Sequence, residues 1–129
     1  MPLTEANALR AYATMWNTLS IAPIEGFLAE DFTFESQFVF SALESKEAFL
    51  EYMTGKLETV GQSDAPAYAE MGTIHHLGQV RPCVLLEQPT KDNLLAVVLA
   101  KTNANKLKRL DLCIVPSPQE ARRSGEYPT

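Results

Sequence analysis

Between Tyr68 and Val115 the sequence runs through four β-rich stretches, Tyr68 to Leu77, Cys83 to Gln88, Leu94 to Lys101 and Leu107 to Val115. Turns this short, Gly78 to Pro82, Pro89 to Asn93 and Thr102 to Asn105, predict an antiparallel meander. The last is the clearest hairpin, because asparagine tolerates left-handed backbone angles.

The half that precedes the meander has a different period. Leu3, Ala6, Leu9, Tyr12, Ala13, Trp16 and Leu19 recur at intervals of three and four, which puts them on one helical face. Thr4 is a suitable N-cap, and Pro23 predicts that the helix ends near Ser20. A short second helix is expected over Ile24 to Ala29. From Asp31 the run Phe32, Phe34, Phe38, Val39 and Phe40 is aromatic and β-branched, interrupted by Ser36-Gln37, and predicts one bent strand or a tight hairpin. Ser45 then caps a second long helix carrying Phe49, Leu50, Tyr52, Met53 and Leu57, which Gly61 is placed to end. Helices followed by a run of antiparallel strands make an α+β domain, with the helices covering one face of the sheet.

At 129 residues the chain suits one domain, expected over residues 1–115, followed by a flexible C-terminal tail over 116–129 that holds three prolines and a polar run. Hydrophobic residues at 46% and charged residues at 21% are ordinary for a globular protein. A net charge of −5 disfavours a nucleic-acid partner, which requires a clustered positive field. The one basic cluster, Lys101, Lys106, Lys108 and Arg109, flanks a turn where solvated charge is expected. No apolar run is long enough to span a membrane, and no leader pattern is present, so a cytoplasmic location is expected. Cys83 and Cys113 lie in apolar runs and read as small core residues rather than a disulfide framework.

The residues Phe27-Leu28-Ala29-Glu30-Asp31-Phe32-Thr33-Phe34-Glu35, followed by Ser45-Lys46-Glu47-Ala48-Phe49, resemble the nuclear-transport-factor-2-like (NTF2-like) superfamily. That superfamily includes ketosteroid isomerase, scytalone dehydratase and the SnoaL-like cyclases, and some uncharacterised bacterial members are said to have a cystatin-like fold. The resemblance covers roughly residues 3 to 115. It implies a curved, mainly antiparallel sheet rolled by its helices into a cone, with an apolar pocket between the first helix and the concave face, usually in a dimer. Fold of this kind says little about function.

Several residues follow as candidates. Tyr12-Ala13-Thr14-Met15-Trp16-Asn17 resembles the isomerase segment whose tyrosine donates to an oxyanion, so Tyr12 carries over. The isomerase base would fall near Ser36 and its buried acid near Val97, and neither is a carboxylate here. His75 and His76, the only histidines, are candidate bases beside Tyr12, as in dehydratases of this fold. Adjacent strand residues face opposite ways, so the two cannot chelate one metal ion together, and no metal or cofactor is expected. Glu35 and the pair Arg109 and Asp111 are weaker catalytic candidates, expected to face solvent.

The reading preferred from sequence is therefore a small apolar ligand held among Tyr12, Trp16, Phe34, Ser36, Val97 and Leu110. The alternatives are an isomerase, dehydratase or cyclase using Tyr12 with a histidine, and an interaction module whose cone is filled by its own side chains. Leu95, Val97 and Leu99 alternate with Ala96, Val98 and Ala100, so both faces of that strand are apolar. A homodimer through the outer sheet face would cover the second face.

Overall fold

A computed structural model describes residues 2–39 and 41–129; Phe40, part of the expected aromatic strand, lies outside the described residues. Helix α1 spans Glu5–Thr18 and starts where Thr4 Oγ1 accepts the Asn7 amide at 3.1 Å. It buries Ala8, Leu9, Tyr12, Ala13, Met15 and Trp16, the face its spacing predicts. It stops two residues earlier than expected, because Leu19 turns left-handed at φ 54° and its amide returns to Met15.

The short helix α2 covers Ala22–Glu25 rather than 24–29, since Pro23 is preorganised for a first helical turn and so starts the helix. Strand β1 then runs Leu28–Ser36. The bent-strand region is a hairpin in outline: Phe34 and Leu43 exchange backbone hydrogen bonds of 2.8 and 2.9 Å. Helix α3, Lys46–Gly61, is capped by Ser45, whose hydroxyl accepts the Ala48 amide. Only Phe49, Met53 and Leu57 of α3 are fully buried, one residue per turn, so a narrow stripe holds this helix to the sheet.

The meander comprises β2 (Tyr68–His76), β3 (Gln79–Glu87), β4 (Leu94–Asn103) and β5 (Lys106–Cys113). Its first turn is tighter than expected. Leu77 and Gly78 both take positive φ, 53° and 78°, the geometry of a two-residue hairpin, so β3 begins four residues earlier. Pro82 is accommodated because it stands opposite Thr73 where β3 no longer pairs with β4, whose ladder with β3 spans only Val84 to Glu87. With β1 added in parallel beside β5, the sheet has the order β1-β5-β4-β3-β2-β6 and is otherwise antiparallel.

Strand β6 is Arg122–Arg123, and it corrects the expectation of a free tail. Arg122 and Arg123 pair with Thr73 and Gly72 of β2, and beyond them Glu126 accepts the Met71 amide. The prolines and polar residues that suggest disorder instead lay the segment along a sheet edge, which would otherwise expose unpaired backbone groups. Asn17 completes that edge. Its side chain donates to both Ala69 O and Pro128 O and accepts from Ala69 N, each at 2.8 Å. Asn17→Ala is expected to cost about 1–3 kcal/mol in chemical unfolding, because the Ala69 amide and carbonyl lose their partner.

The sheet has an apolar layer on each side. The larger core, with Phe32, Phe49, Leu28 and Leu110 at its centre, lies under the helices. On the outer face Ile74, Cys83, Leu85, Val97, Leu99 and Cys113 cluster with Ala121. Val97 and Leu99 are 0% and 3% exposed, since the 3₁₀ turn Pro118–Glu120 packs on β4. That turn covers Val97 and Leu99 from within the chain. Among the described residues no helix is long and apolar enough to cross a membrane.

Candidate functional site

Between α1, α3 and the concave face of the sheet lies a cavity of about 190 Å³. Tyr12 and Trp16 are one turn apart on α1 and so share the face that roofs it, with Met53 of α3 beside them. Phe34, Leu86, Ala96 and Leu112 form the floor. Phe38, Val39, Tyr52 and Leu95 line its opening and are 59%, 53%, 41% and 40% exposed, an apolar lip at which a nonpolar molecule loses little in leaving water. The cone is not filled by its own side chains.

Ser36, Lys56, Glu87 and Gln88 bring polar groups to its border, and two donors lie on its apolar roof. Tyr12 Oη and Trp16 Nε1 are buried side by side, near enough to interact with each other, and neither is satisfied by any other described residue. Buried tyrosine and tryptophan polar atoms ordinarily find a hydrogen-bond partner. Burial raises the Tyr12 pKa, so its hydroxyl keeps its proton and remains a donor at any physiological pH. Indole N–H is a donor only. Ser36 reaches the cavity, but its hydroxyl is engaged with the Phe38 amide at 3.2 Å.

Four of the sequence candidates, Tyr12, Trp16, Phe34 and Ser36, thus meet around one space, and seven, Val97, Leu110, His75, His76, Glu35, Arg109 and Asp111, do not. Val97 points to the outer layer, and its neighbour Ala96 lines the cavity instead. A strand reverses face at every residue, so the expected position is off by one. Leu110 faces inward but sits in the solid core, and Leu112, two residues on along the same face, reaches the cavity.

The histidines are further off. Ala67 lines the cavity just before β2 begins, whereas His75 and His76 close the far end of that strand. His75 is exposed, and His76 borders a cleft with Leu77 and Arg81 that also reaches Ser36, Val39 and Leu112 of the cavity wall. Neither histidine lines the cavity with Tyr12. Glu35, Arg109 and Asp111 form an ion-paired group away from the cavity, with Arg109 Nη2 3.0 Å from Glu35 and 2.8 Å from Asp111. The Cys83 thiol is pushed up to about 12 by burial, so it is no nucleophile.

What sequence reasoning missed is a pair of buried carboxyls. Glu70 on β2 and Glu87 on β3 are 1% and 0% exposed, and Glu87 borders the cavity. Arg123 Nε donates to Glu70 Oε1 at 2.8 Å, and its Nη2 lies 3.6 Å from Glu87 Oε2. The Gly125 amide donates to Glu70 and the Tyr127 hydroxyl to Glu87, at 2.7 and 2.8 Å. The only available signal was the unusual placement of glutamates inside otherwise apolar strands.

This architecture matches solved structures. A cystatin-fold protein from Novosphingobium aromaticivorans superposes with a TM-score of 0.61 at 12% identity, over 86% of this chain and 98% of that one. The chain has the NTF2-like, cystatin-like fold. An NTF2-like protein of unknown function from Cytophaga hutchinsonii gives a TM-score of 0.58 at 15% identity, over 90% of this chain and 96% of the other. A candidate polyketide cyclase from Sinorhizobium meliloti gives 0.59 at 11%, over 82% and 93%. No protein-family profile and no curated protein matches the sequence. At such identities the NTF2-like likeness establishes the fold and leaves the chemistry to the site itself.

Proposed function

We propose that this NTF2-like chain binds a small, ring-sized apolar molecule that carries a hydrogen-bond acceptor. The observation that carries the reading is the adjacent pair of buried donors, Tyr12 Oη and Trp16 Nε1, which face one apolar cavity and find no acceptor outside the pair among the described residues. A buried polar group without a partner costs about 1–3 kcal/mol, and a ligand oxygen relieves that cost. An apolar cavity of about 150 Å³ holds one benzene ring, so about 190 Å³ suits a single substituted ring.

Binding is favoured over catalysis. Isomerases, dehydratases and cyclases move protons, and among the described residues lining the cavity no histidine is present. Among those same residues the one carboxyl at its border, Glu87, is engaged by Tyr127 and Arg123.

Acetophenone and isopropylbenzene have nearly the same shape and differ in the carbonyl oxygen. Titrated against the protein and followed by the emission of Trp16, the sole tryptophan, acetophenone is expected to bind at least tenfold more tightly. Tyr12→Phe is expected to erase most of that preference and leave the fold at least as stable, since it removes a buried hydroxyl without an acceptor among the described residues. Equal binding of the two compounds, or none, overturns the reading.

A further inference from the structure

The C-terminal segment and the ligand cavity share a wall. Trp16 and Ala67 line the cavity on one side, and on the other they line a second cleft with Tyr127 and Thr129. The segment reaches that wall by crossing the buried carboxyl pair, where one guanidinium, that of Arg123, lies within 4 Å of both Glu70 and Glu87. Two carboxylates against one cation leave a surplus negative charge out of water, and the pair avoids it by keeping a proton. Glu87 Oε2, which has no hydrogen-bond donor among the described residues, is then satisfied by its own proton given to the neighbouring Glu70.

We propose that residues 122–129 are a strap that braces the Trp16 wall of the ligand cavity, and that loss of the proton shared by Glu70 and Glu87 releases it. The regulatory part rests on the ligand-binding reading, whereas the strap itself does not.

The groups facing the pair come from every element around it. Arg123 and Tyr127 belong to the strap, Cys83 lies behind the pair on β3, and the Lys91 ammonium sits 4.2 Å from the centre of the Tyr127 ring. The Arg123 guanidinium is held from the β3–β4 turn as well, since its Nη2 donates to Lys91 O at 2.7 Å. Arg10 of α1 pairs with Glu126. Burial, and then Glu70, push Glu87 up to about 8. Burial also works to raise Glu70, but hydrogen bonds from Glu87, Arg123 and Gly125 outweigh it and hold that carboxyl below its usual range. Tyr127 is pushed up to about 12, chiefly by burial, and Cys83 likewise, so neither titrates in the same window.

The direction follows from linkage. The strap acts on Glu87 in two senses, since its cover keeps the carboxyl from water and raises the pKa while its Tyr127 and Arg123 lower it; the net effect when docked is a rise, so the docked state holds a proton that release to water gives up. Docking is therefore firmest near the ordinary carboxyl pKa and weakens steadily as pH rises towards about 8, where Glu87 ionises even when docked. The lowered Glu70 adds the opposite limit, since its contribution is lost below its unfolded pKa.

Amide hydrogen exchange reads the strap directly, without any ligand. After correction for intrinsic rates, protection of the Ser124 and Gly125 amides, which donate to Met71 O and Glu70, is expected to fall at least tenfold from pH 6 to pH 9. Emission from Trp16 should shift to the red over the same range. Glu87→Gln, which stays neutral, is expected to flatten both profiles. Should that variant fail to fold, Arg123→Gln on the surface is expected to lose strap protection at every pH. Flat wild-type profiles, a slope retained in Glu87→Gln, or full protection in Arg123→Gln overturns the strap. With the strap responding, acetophenone affinity is expected to fall at least threefold from pH 6.5 to 8.5 in the wild type and not in Glu87→Gln. Affinity that ignores a moving strap overturns the bracing of the cavity, and absence of acetophenone binding at any pH overturns the ligand reading alone.

Discussion

Phe49→Ala is expected to lower the unfolding free energy by about 3–5 kcal/mol, the range for removing a fully buried phenylalanine. Phe49 is 0% exposed, with its ring centre 4.7 Å from that of Phe32 in an edge-on contact and 5.3 Å from that of Phe34. Those two contacts join α3 to β1. Since α3 fully buries only Phe49, Met53 and Leu57, with Leu50 and Val60 half-buried beside them and Tyr52 near Phe34, the Phe49 ring is its largest anchor, and average helix propensity does not stabilise an isolated helix of its length. The effect should also reach the ligand site, because Phe34 and Met53 line the cavity and both lose support. Urea unfolding followed by circular dichroism measures the stability, and acetophenone titration of the surviving folded fraction measures the site. Phe49→Leu, which keeps most of the volume, is expected to cost less than half as much. A loss below about 1.5 kcal/mol for the alanine variant would mean that α3 is held by something other than this aromatic group.

The residues around Phe49 also show how far the amino-acid pattern reaches. The stripe on α1 is readable because helical period, N-cap and burial agree, and the period by itself puts Tyr12 and Trp16 on one face. Phe34 and Ser36 are placed by alternation from an aromatic strand. The limit comes in β4, where both faces are apolar: a pattern of Leu95, Ala96, Val97 and Val98 contains no polar residue to say which side is inward. The resemblance that puts the isomerase acid near Val97, together with its larger size, favours Val97 over Ala96, and neither fixes a face. In the histidines, chemical reactivity draws attention to residues at the far end of β2, which do not line the cavity.

Glu70, Glu87 and the strap are illegible for a different reason. A glutamate within a strand reads as solvent-facing, and Arg123 reads as a charge in a polar tail. Only their meeting, 53 residues apart for Arg123 and Glu70, makes each burial tolerable, and no local pattern carries a contact at that separation. Asn17 belongs to the same class, since its three hydrogen bonds join α1 to β2 and to Pro128. The illegible residues are thus the ones whose polar groups are satisfied across the fold rather than along it.

A single glycine is the one local trace of that long-range contact. A Cβ built on Gly72 would stand 2.8 Å from Arg122 O, 3.3 Å from Leu85 Cδ1 and 3.5 Å from Cys83 Sγ. The first of these is a backbone atom of β6, one residue from Arg123, which stands opposite Gly72 in the ladder, and it can yield only if the strand moves. Glycine in a strand interior commonly marks such a close approach of another backbone. Gly72→Val is therefore expected to cost about 2–3 kcal/mol through overpacking, in spite of valine's better strand propensity. Deleting residues 122–129 provides the control, because none of the main core beneath the helices comes from that segment. In the shortened chain the Arg122 carbonyl is gone, and Gly72→Val should cost less than about 1 kcal/mol in thermal or urea unfolding. If the cost is the same in both chains, the crowding comes from Leu85 and Cys83 within the sheet, and the glycine was not kept for the strap. If it vanishes, the sequence has left β2 bare at Gly72 so that its own C-terminal segment can lie against it.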